Sequence, residues 1–75
     1  MKKIWVDFND RSSENDVRLT ETGLRQVLGQ GICVGDRCLI SDDEIQMEAV
    51  LDRDALGNLV ARPDWSTRVD LDQEP

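Results

Sequence analysis

Hydrophobic and polar residues alternate along two stretches of the chain, KKIWVDF and EIQMEAVLD, a pattern typical of strands with one buried face. The alternation is longest in EIQMEAVLD, where every second residue from Ile45 to Leu51 is apolar. A strand with one polar face indicates an antiparallel sheet that is solvated on one side. The predicted strands cover residues 2–8, 17–20, 37–40, 44–52 and 58–62.

Between the second and third predicted strands the apolar spacing changes. Leu24, Val27 and Leu28 follow the i, i+3, i+4 spacing of one helical face. Threonines precede this stripe and glycines follow it, so both ends have suitable caps. The pattern predicts one or two helical turns that lie over an open end of the sheet.

The connections between these elements are rich in turn-forming residues. The polar run NDRSSEND, residues 9–16, predicts a mobile loop that joins the first two strands as a hairpin. SDD at 41–43 predicts a tight turn. DRDALGNLVARP at 52–63 begins with the acidic spacing and glycine of a calcium loop, but Leu56 and Pro63 occupy ligand positions. We therefore interpret this stretch as a hairpin turn.

The length of 75 residues is that of one domain. Five short strands with one apolar face must curl to enclose a core, so residues 1–63 are predicted to form a single small β-barrel domain. The predicted fold class is mainly β, a five-stranded antiparallel SH3-like barrel with one short helical turn. Residues 64–75 are acidic and lack periodicity, which predicts a largely flexible C-terminal tail.

The order of these elements resembles the SH3-like small barrels of translation and transcription factors, and it is similar to small bacterial proteins of this size. The resemblance covers residues 3–62. Its sequence signal is GDRCLI, which begins at Gly35 and precedes the long strand from Glu44 to Asp52. The barrels of translation commonly have basic loops, from which this chain departs, so no residue roles are carried over from them.

The formal net charge is −7, and all of this excess lies after residue 41. Nucleic-acid binding draws much of its affinity from Lys and Arg, and Lys2-Lys3 is the longest basic run, so we do not expect nucleic-acid binding. Anionic membranes are disfavoured for the same reason. Without a long apolar run or a signal-peptide pattern, the sequence predicts a cytoplasmic protein that does not bind membranes.

The chain has no histidine, which excludes Ser–His–Asp and Cys–His catalytic sets. Cys33 and Cys38 leave open a disulfide between them or half of a metal site, but zinc needs about four ligands and the chain has no histidine. In the cytoplasm we expect reduced, structural thiols. The glycine-rich run GQGICVGD lacks the lysine of a phosphate-binding loop. We therefore predict a protein that is not an enzyme and that has no metal or cofactor.

The candidate binding residues are tryptophans and outward-facing valines. Trp5 falls on the polar phase of the first strand, and Val50 and Val60 fall on the polar phases of theirs. Because tryptophan is enriched at binding hot spots, these three residues and Trp65 are predicted to form a surface for a protein partner. The sequence leaves open that Trp5 closes a barrel end or that Trp65 folds over the outer face.

The first hypothesis for function is a non-enzymatic, protein-binding interaction module. The alternative is an RNA- or ribosome-associated barrel that binds through a local basic patch. The residues available for that patch are Lys2, Lys3, Arg11, Arg18 and Arg25.

Overall fold

The computed structural model describes residues 1–10 and 16–71. Within these residues the protein is mainly β, with six strands, one α-helix and a short 3₁₀ helix at Trp65–Thr67. The strands and the helix are β1 (Lys3–Trp5), β2 (Val17–Arg18), α1 (Glu21–Gln30), β3 (Arg37–Ser41), β4 (Ile45–Arg53), β5 (Leu59–Pro63) and β6 (Val69–Asp70).

The strands form one curled, mixed sheet, a half-barrel in which the strand order is β1-β3-β4-β5-β2. The antiparallel meander β3-β4-β5 agrees with the sequence. However, β1 pairs with β3 in parallel, with Ile4 opposite Ile40, so the prediction of a fully antiparallel sheet is wrong. The predicted hairpin of the first two strands is also wrong, because β1 and β2 lie at opposite edges. Alternation identifies a buried face, but it does not specify the neighbouring strand or its direction.

The first half of β4 is completed by the segment that follows β5. The Asp64 amide donates to the Glu48 carbonyl at 2.9 Å, and the Glu48 amide donates to Thr67 Oγ1 at 2.8 Å. After the 3₁₀ helix, β6 pairs with β4, with Val69 opposite Gln46. Where the 3₁₀ helix interrupts the strand pairing with β4, the Thr67 hydroxyl therefore accepts the hydrogen bond that a backbone carbonyl would otherwise accept.

This arrangement holds the segment from Asp64 to Asp70 against β4, and the Leu71 amide bonds Glu44 just before it, although the sequence predicts a largely flexible tail from residue 64. Residues 72–75, the end of that tail, lie outside the described residues. So do residues 11–15 of the predicted mobile loop. A domain boundary at residue 63 stays a prediction.

The concave side of the sheet holds the hydrophobic core. Met47, Ala49 and Leu51 of β4 are buried and Ile45 is partly buried, which confirms the inward phase read from the sequence. The buried cluster comprises Ile4, Val6, Phe8, Val17, Val27, Ile32, Cys38, Ile40, Met47, Ala49, Leu51 and Ala61.

Helix α1 is ten residues long, more than the predicted one or two turns, and it turns a different side to the core. Gly23 and Val27 are buried, whereas Leu24 is 38% and Leu28 82% exposed. Of the predicted stripe Leu24, Val27 and Leu28, only Val27 is buried, so the prediction of which side of the helix faces the core is wrong. The helix instead approaches β1 closely at Gly23, where an added Cβ would lie 2.9 Å from the Trp5 carbonyl oxygen.

The ends of α1 have the caps that the sequence offers. Thr20 Oγ1 accepts a hydrogen bond from the Gly23 amide at 3.1 Å. Gly31 ends the helix in the left-handed conformation with φ 65°. These local signals are correct even though the face that the helix buries was misread.

Two glutamines of α1 cover the free edge of β1. The Trp5 amide donates to Gln26 Oε1 at 2.6 Å, and Gln30 Nε2 donates to the Lys3 carbonyl at 2.9 Å. Gln26 and Gln30 are about one helical turn apart, a rise of about 5 Å. Lys3 and Trp5 are two strand residues apart, about 7 Å, so each glutamine can reach one of them. The helix thus satisfies backbone groups that an exposed edge strand would leave unpaired.

The turn between β4 and β5 confirms the hairpin interpretation of DRDALGNLVARP. Asp54 Oδ1 accepts hydrogen bonds from the Leu56 and Asn58 amides, each at 2.9 Å. Gly57 adopts φ 84°, a value that favours glycine. The carboxylate that resembles a calcium ligand in sequence is therefore a backbone acceptor within the turn.

Gly23→Ala is expected to destabilise the fold by about 1–3 kcal/mol, because the new methyl group must push α1 away from the Trp5 carbonyl. Alanine is otherwise preferred over glycine in a helix by about 1 kcal/mol. Gly29→Ala is the matched control, since a Cβ there meets nothing within 4 Å, and it should raise the free energy of unfolding. Urea denaturation of both variants measures this. Equal stabilisation by the two substitutions would refute the close contact.

Asp54→Ala should lower the melting temperature at neutral pH and have little effect in strong acid. The pKa of Asp54 is lowered, chiefly by the hydrogen bond from the Asn58 amide. A carboxyl whose pKa is lower in the folded state stabilises that state above its unfolded pKa, and this contribution is lost as the pH falls through the folded pKa. Melting curves of the variant and the parent across the acid range measure the difference. A difference that stays constant across the range would contradict this role.

Candidate functional site

The structure separates the four residues that were predicted to form one surface. Trp5 lies on the outer face of β1 and is 40% exposed. Val50 is partly buried on β4, Val60 is fully buried on β5, and Trp65 is partly buried in the 3₁₀ helix. The four therefore do not form one exposed patch.

Val60 falls on the outer phase of β5, yet it is covered. Arg18 and Asp52 are its direct neighbours on the two flanking strands. Arg62, two residues along β5, places its Nε 3.1 Å from Asp52 and 3.8 Å from Asp16. The prediction that Val60 belongs to an exposed surface is wrong, because strand periodicity gives the phase of a residue but not the side chains that lie over it.

Val50 lies between two arginines on the same outer face, since its cross-strand neighbours are Arg37 and Arg62. Arg37 places Nη2 3.4 Å from Glu48 and 3.6 Å from Asp64. Ion pairs thus surround the valine. A binding role for Val50 stays a prediction.

Trp65 packs on the core side of the sheet. Its ring centroid lies 6.3 Å from that of Phe8, with the planes tilted by 54°, and the residue packs against the buried cluster. The idea that Trp65 folds over the outer face is therefore wrong. Asp64 caps this turn, and its hydrogen bond from the Ser66 hydroxyl is the largest cause that lowers the pKa of Asp64.

Trp65→Ala should lower the free energy of unfolding by about 2 kcal/mol, less than the 3–5 kcal/mol of a fully buried aromatic residue. Trp5→Ala removes a more exposed ring and should cost about 1 kcal/mol or less. Thermal melts of the two variants compare them directly. A larger loss for Trp5→Ala would mean that the two rings have been assigned to the wrong environments.

The candidate site is a cleft beside Trp5 with a volume of about 510 Å³. It lies where the end of β3 and the following turn meet β1, α1 and the end of the described chain. Its walls combine an aromatic ring and an aliphatic side chain with carboxylates, an amide and one amine. The lining residues are Lys3, Trp5, Gln26, Ser41, Asp42, Asp43 and Leu71.

The backbone around Trp5 is held on both sides. The parallel ladder places Trp5 opposite Ser41, and the Val6 amide donates to the Ser41 carbonyl at 3.0 Å. On the other edge Gln26 accepts from the Trp5 amide. The indole thus projects from a fixed segment, which suits a preformed binding site.

The turn after β3 fixes one of the carboxylates. Asp42 Oδ1 accepts hydrogen bonds from the Glu44 and Ile45 amides at 2.7 and 2.8 Å, which confirms the predicted tight turn. Asp43 is exposed and, within the described residues, accepts no hydrogen bond and forms no ion pair. Leu71 is held nearby by its amide, which donates to the Glu44 carbonyl at 2.7 Å.

Sequence reasoning missed Gln26, Asp42 and Leu71 as parts of this cleft. Gln26 lies outside the apolar stripe of the helix, Asp42 belongs to an ordinary turn, and Leu71 lies in a stretch predicted to be flexible. The only available signal was the exposed phase of Trp5. Parallel pairing with β3 brings the other residues to it.

Neither cysteine contributes to the cleft. Cys38 is buried in the core, and burial, followed by the nearby Asp36 charge, raises the pKa of its thiol. Cys33 is exposed, and both are free thiols. Among residues 1–10 and 16–71, no group of three or more His, Cys, Asp or Glu is placed to hold a metal ion.

Comparisons with protein-family models, curated proteins and solved structures found no match to this chain. The fold nevertheless defines the class: a small mixed β protein with a curled five-strand half-barrel sheet and one helix. In the described part of the chain, no helix is long and apolar enough to cross a membrane.

Proposed function

We propose that this protein is a non-enzymatic interaction module that binds another protein through the cleft beside Trp5. The observation that carries the proposal is the position of the indole, which is 40% exposed in a concave site whose backbone is held on both edges. Tryptophans in such positions are common hot spots of protein interfaces. Leu71, which is 44% exposed, adds apolar surface to the same cleft.

Several features support a binding role over catalysis. The chain has no histidine, and the carboxylates of the cleft lie on a solvated turn. General acid–base catalysis needs a group whose pKa is matched to its task, which usually requires burial. The proposal therefore includes no cofactor and no metal.

The finer description of the fold as an SH3-like barrel is also a proposal. The antiparallel meander β3-β4-β5 and the strong curl of the sheet support it. The parallel pairing of β1 with β3 departs from that pattern. A cytoplasmic location belongs to the same proposal and is supported by the two free cysteines.

The RNA-binding alternative has less support, because two of its five basic residues already lie beside carboxylates. Arg25 is ion-paired to Glu21 at 2.6 Å, and Arg18 lies 3.9 Å from Asp10. Arg11 lies outside the described residues. Arginines beside carboxylates contribute little to the electrostatic binding of phosphates.

Affinity capture from native lysate tests the proposal. Trp5→Ala should abolish retention of specific proteins, whereas Leu56→Ala should not. Leu56 is the matched control because it is an apolar residue, 87% exposed, in the β4–β5 turn and does not line this cleft. Nuclease treatment of the lysate should leave the captured set unchanged.

Two outcomes would contradict the proposal. Capture that is equal for the parent and Trp5→Ala would remove the cleft from the binding site. Capture that disappears with nuclease and weakens steeply with salt would favour the RNA-binding alternative.

A further inference from the structure

The cleft beside Trp5 has more acidic than basic side chains, so it is suited to a ligand of particular charge. Two carboxylates, Asp42 and Asp43, line it against one amine, Lys3. Asp42 uses only Oδ1 in its turn, and Asp43 makes no hydrogen bond or ion pair with the described residues. Acceptor oxygens are therefore available in a cleft that the partly exposed Trp5 also lines.

We infer that the cleft recognises an arginine side chain in an extended, basic segment of the partner; this rests on the function proposed above. The guanidinium stacks on the indole of Trp5 and donates to the carboxylate of Asp43. The aliphatic stem lies against Leu71. Charge complementarity selects this occupant, because the whole chain carries −7 and the cleft has more acid than base.

Arginine fits this set of groups better than the other basic side chain. Its planar guanidinium stacks on aromatic faces and donates two parallel hydrogen bonds to one carboxylate. Lysine presents a compact, strongly hydrated charge that does not stack in this way. A phosphate or an acidic peptide would meet the unpaired carboxylates and be repelled.

Lys3 does not neutralise the site. Its carbonyl is bound to Gln30, but its ammonium group forms no ion pair within residues 1–10 and 16–71. The side chain is exposed and can leave the carboxylates to an incoming guanidinium. The positive charge of Lys3 thus lowers the affinity of the cleft for a cation, but its side chain does not occupy the place of the incoming guanidinium.

The test is an NMR titration of the intact protein with the blocked peptide Ac-Gly-Gly-Arg-Gly-Gly-NH₂. Saturable shifts should localise to the Trp5 indole N–H and to the Asp42, Asp43 and Leu71 amides. The same peptide with citrulline in place of arginine has nearly the same shape without the charge, and it should produce none of these shifts. A lysine peptide should bind more weakly.

Two charge-matched variants make the test specific. Asp43→Asn should weaken binding about two- to fivefold, the range expected for an exposed ion pair. Glu44→Gln removes the same charge one residue away from a side chain that does not line the Trp5 cleft, so it should leave the affinity nearly unchanged. Trp5→Leu keeps an apolar side chain, and it should weaken binding by about the same factor as Asp43→Asn because cation–π stacking is lost.

The outcomes separate this inference from the proposed function. Shifts spread over all acidic residues, equal losses for Asp43→Asn and Glu44→Gln, or binding of the citrulline peptide would each overturn arginine recognition. If capture of a protein partner still depends on Trp5 in those cases, the proposed function stands and only the inference fails. If the arginine peptide binds as described but capture is independent of Trp5, the chemistry of the cleft is correct and the proposed function fails.

Discussion

The fold depends on the hydrogen bonding of β1 along both of its edges. On one edge it lies parallel to β3, and on the other Gln26 and Gln30 bind its amide and carbonyl groups. Parallel strands cannot be joined by a tight turn, so the chain must cross over, and α1 is part of that crossover. The close fit at Gly23 lets the helix come near enough for both glutamines to reach. Without this contact, β1 would be an exposed edge with unpaired backbone groups.

The same constraint creates the candidate site. A three-residue strand has little stability of its own, but here it is fixed by the sheet and by the helix together. Its outward side chain, Trp5, is thereby held opposite Ser41, and the Asp42–Asp43 turn follows at once. The aromatic ring and the carboxylates thus line one cleft, although 37 and 38 positions separate Trp5 from Asp42 and Asp43 in sequence.

The rest of the outer face uses its charges differently. Arg37 and Arg62 each lie close to two carboxylates and form ion pairs with them across the strands. Exposed pairs of this kind contribute little to stability individually. They do reduce the attraction of the surface for outside charges, which leaves the unpaired Asp43 as a distinct feature beside Trp5.

The sequence by itself determined the elements whose signals are local. The strict alternation of β4, the Asp54–Gly57 turn and the Thr20 and Gly31 caps each depend on residues within a few positions of one another, and the structure confirms them. Tertiary structure alone decided which strand β1 pairs with and which face of α1 is buried. It also covered Val60 and placed Leu71 beside Trp5. These outcomes depend on contacts between segments that are distant in sequence. A backbone amide can donate to a neighbouring strand or to a glutamine side chain, and the local hydrophobic pattern does not show which partner it takes.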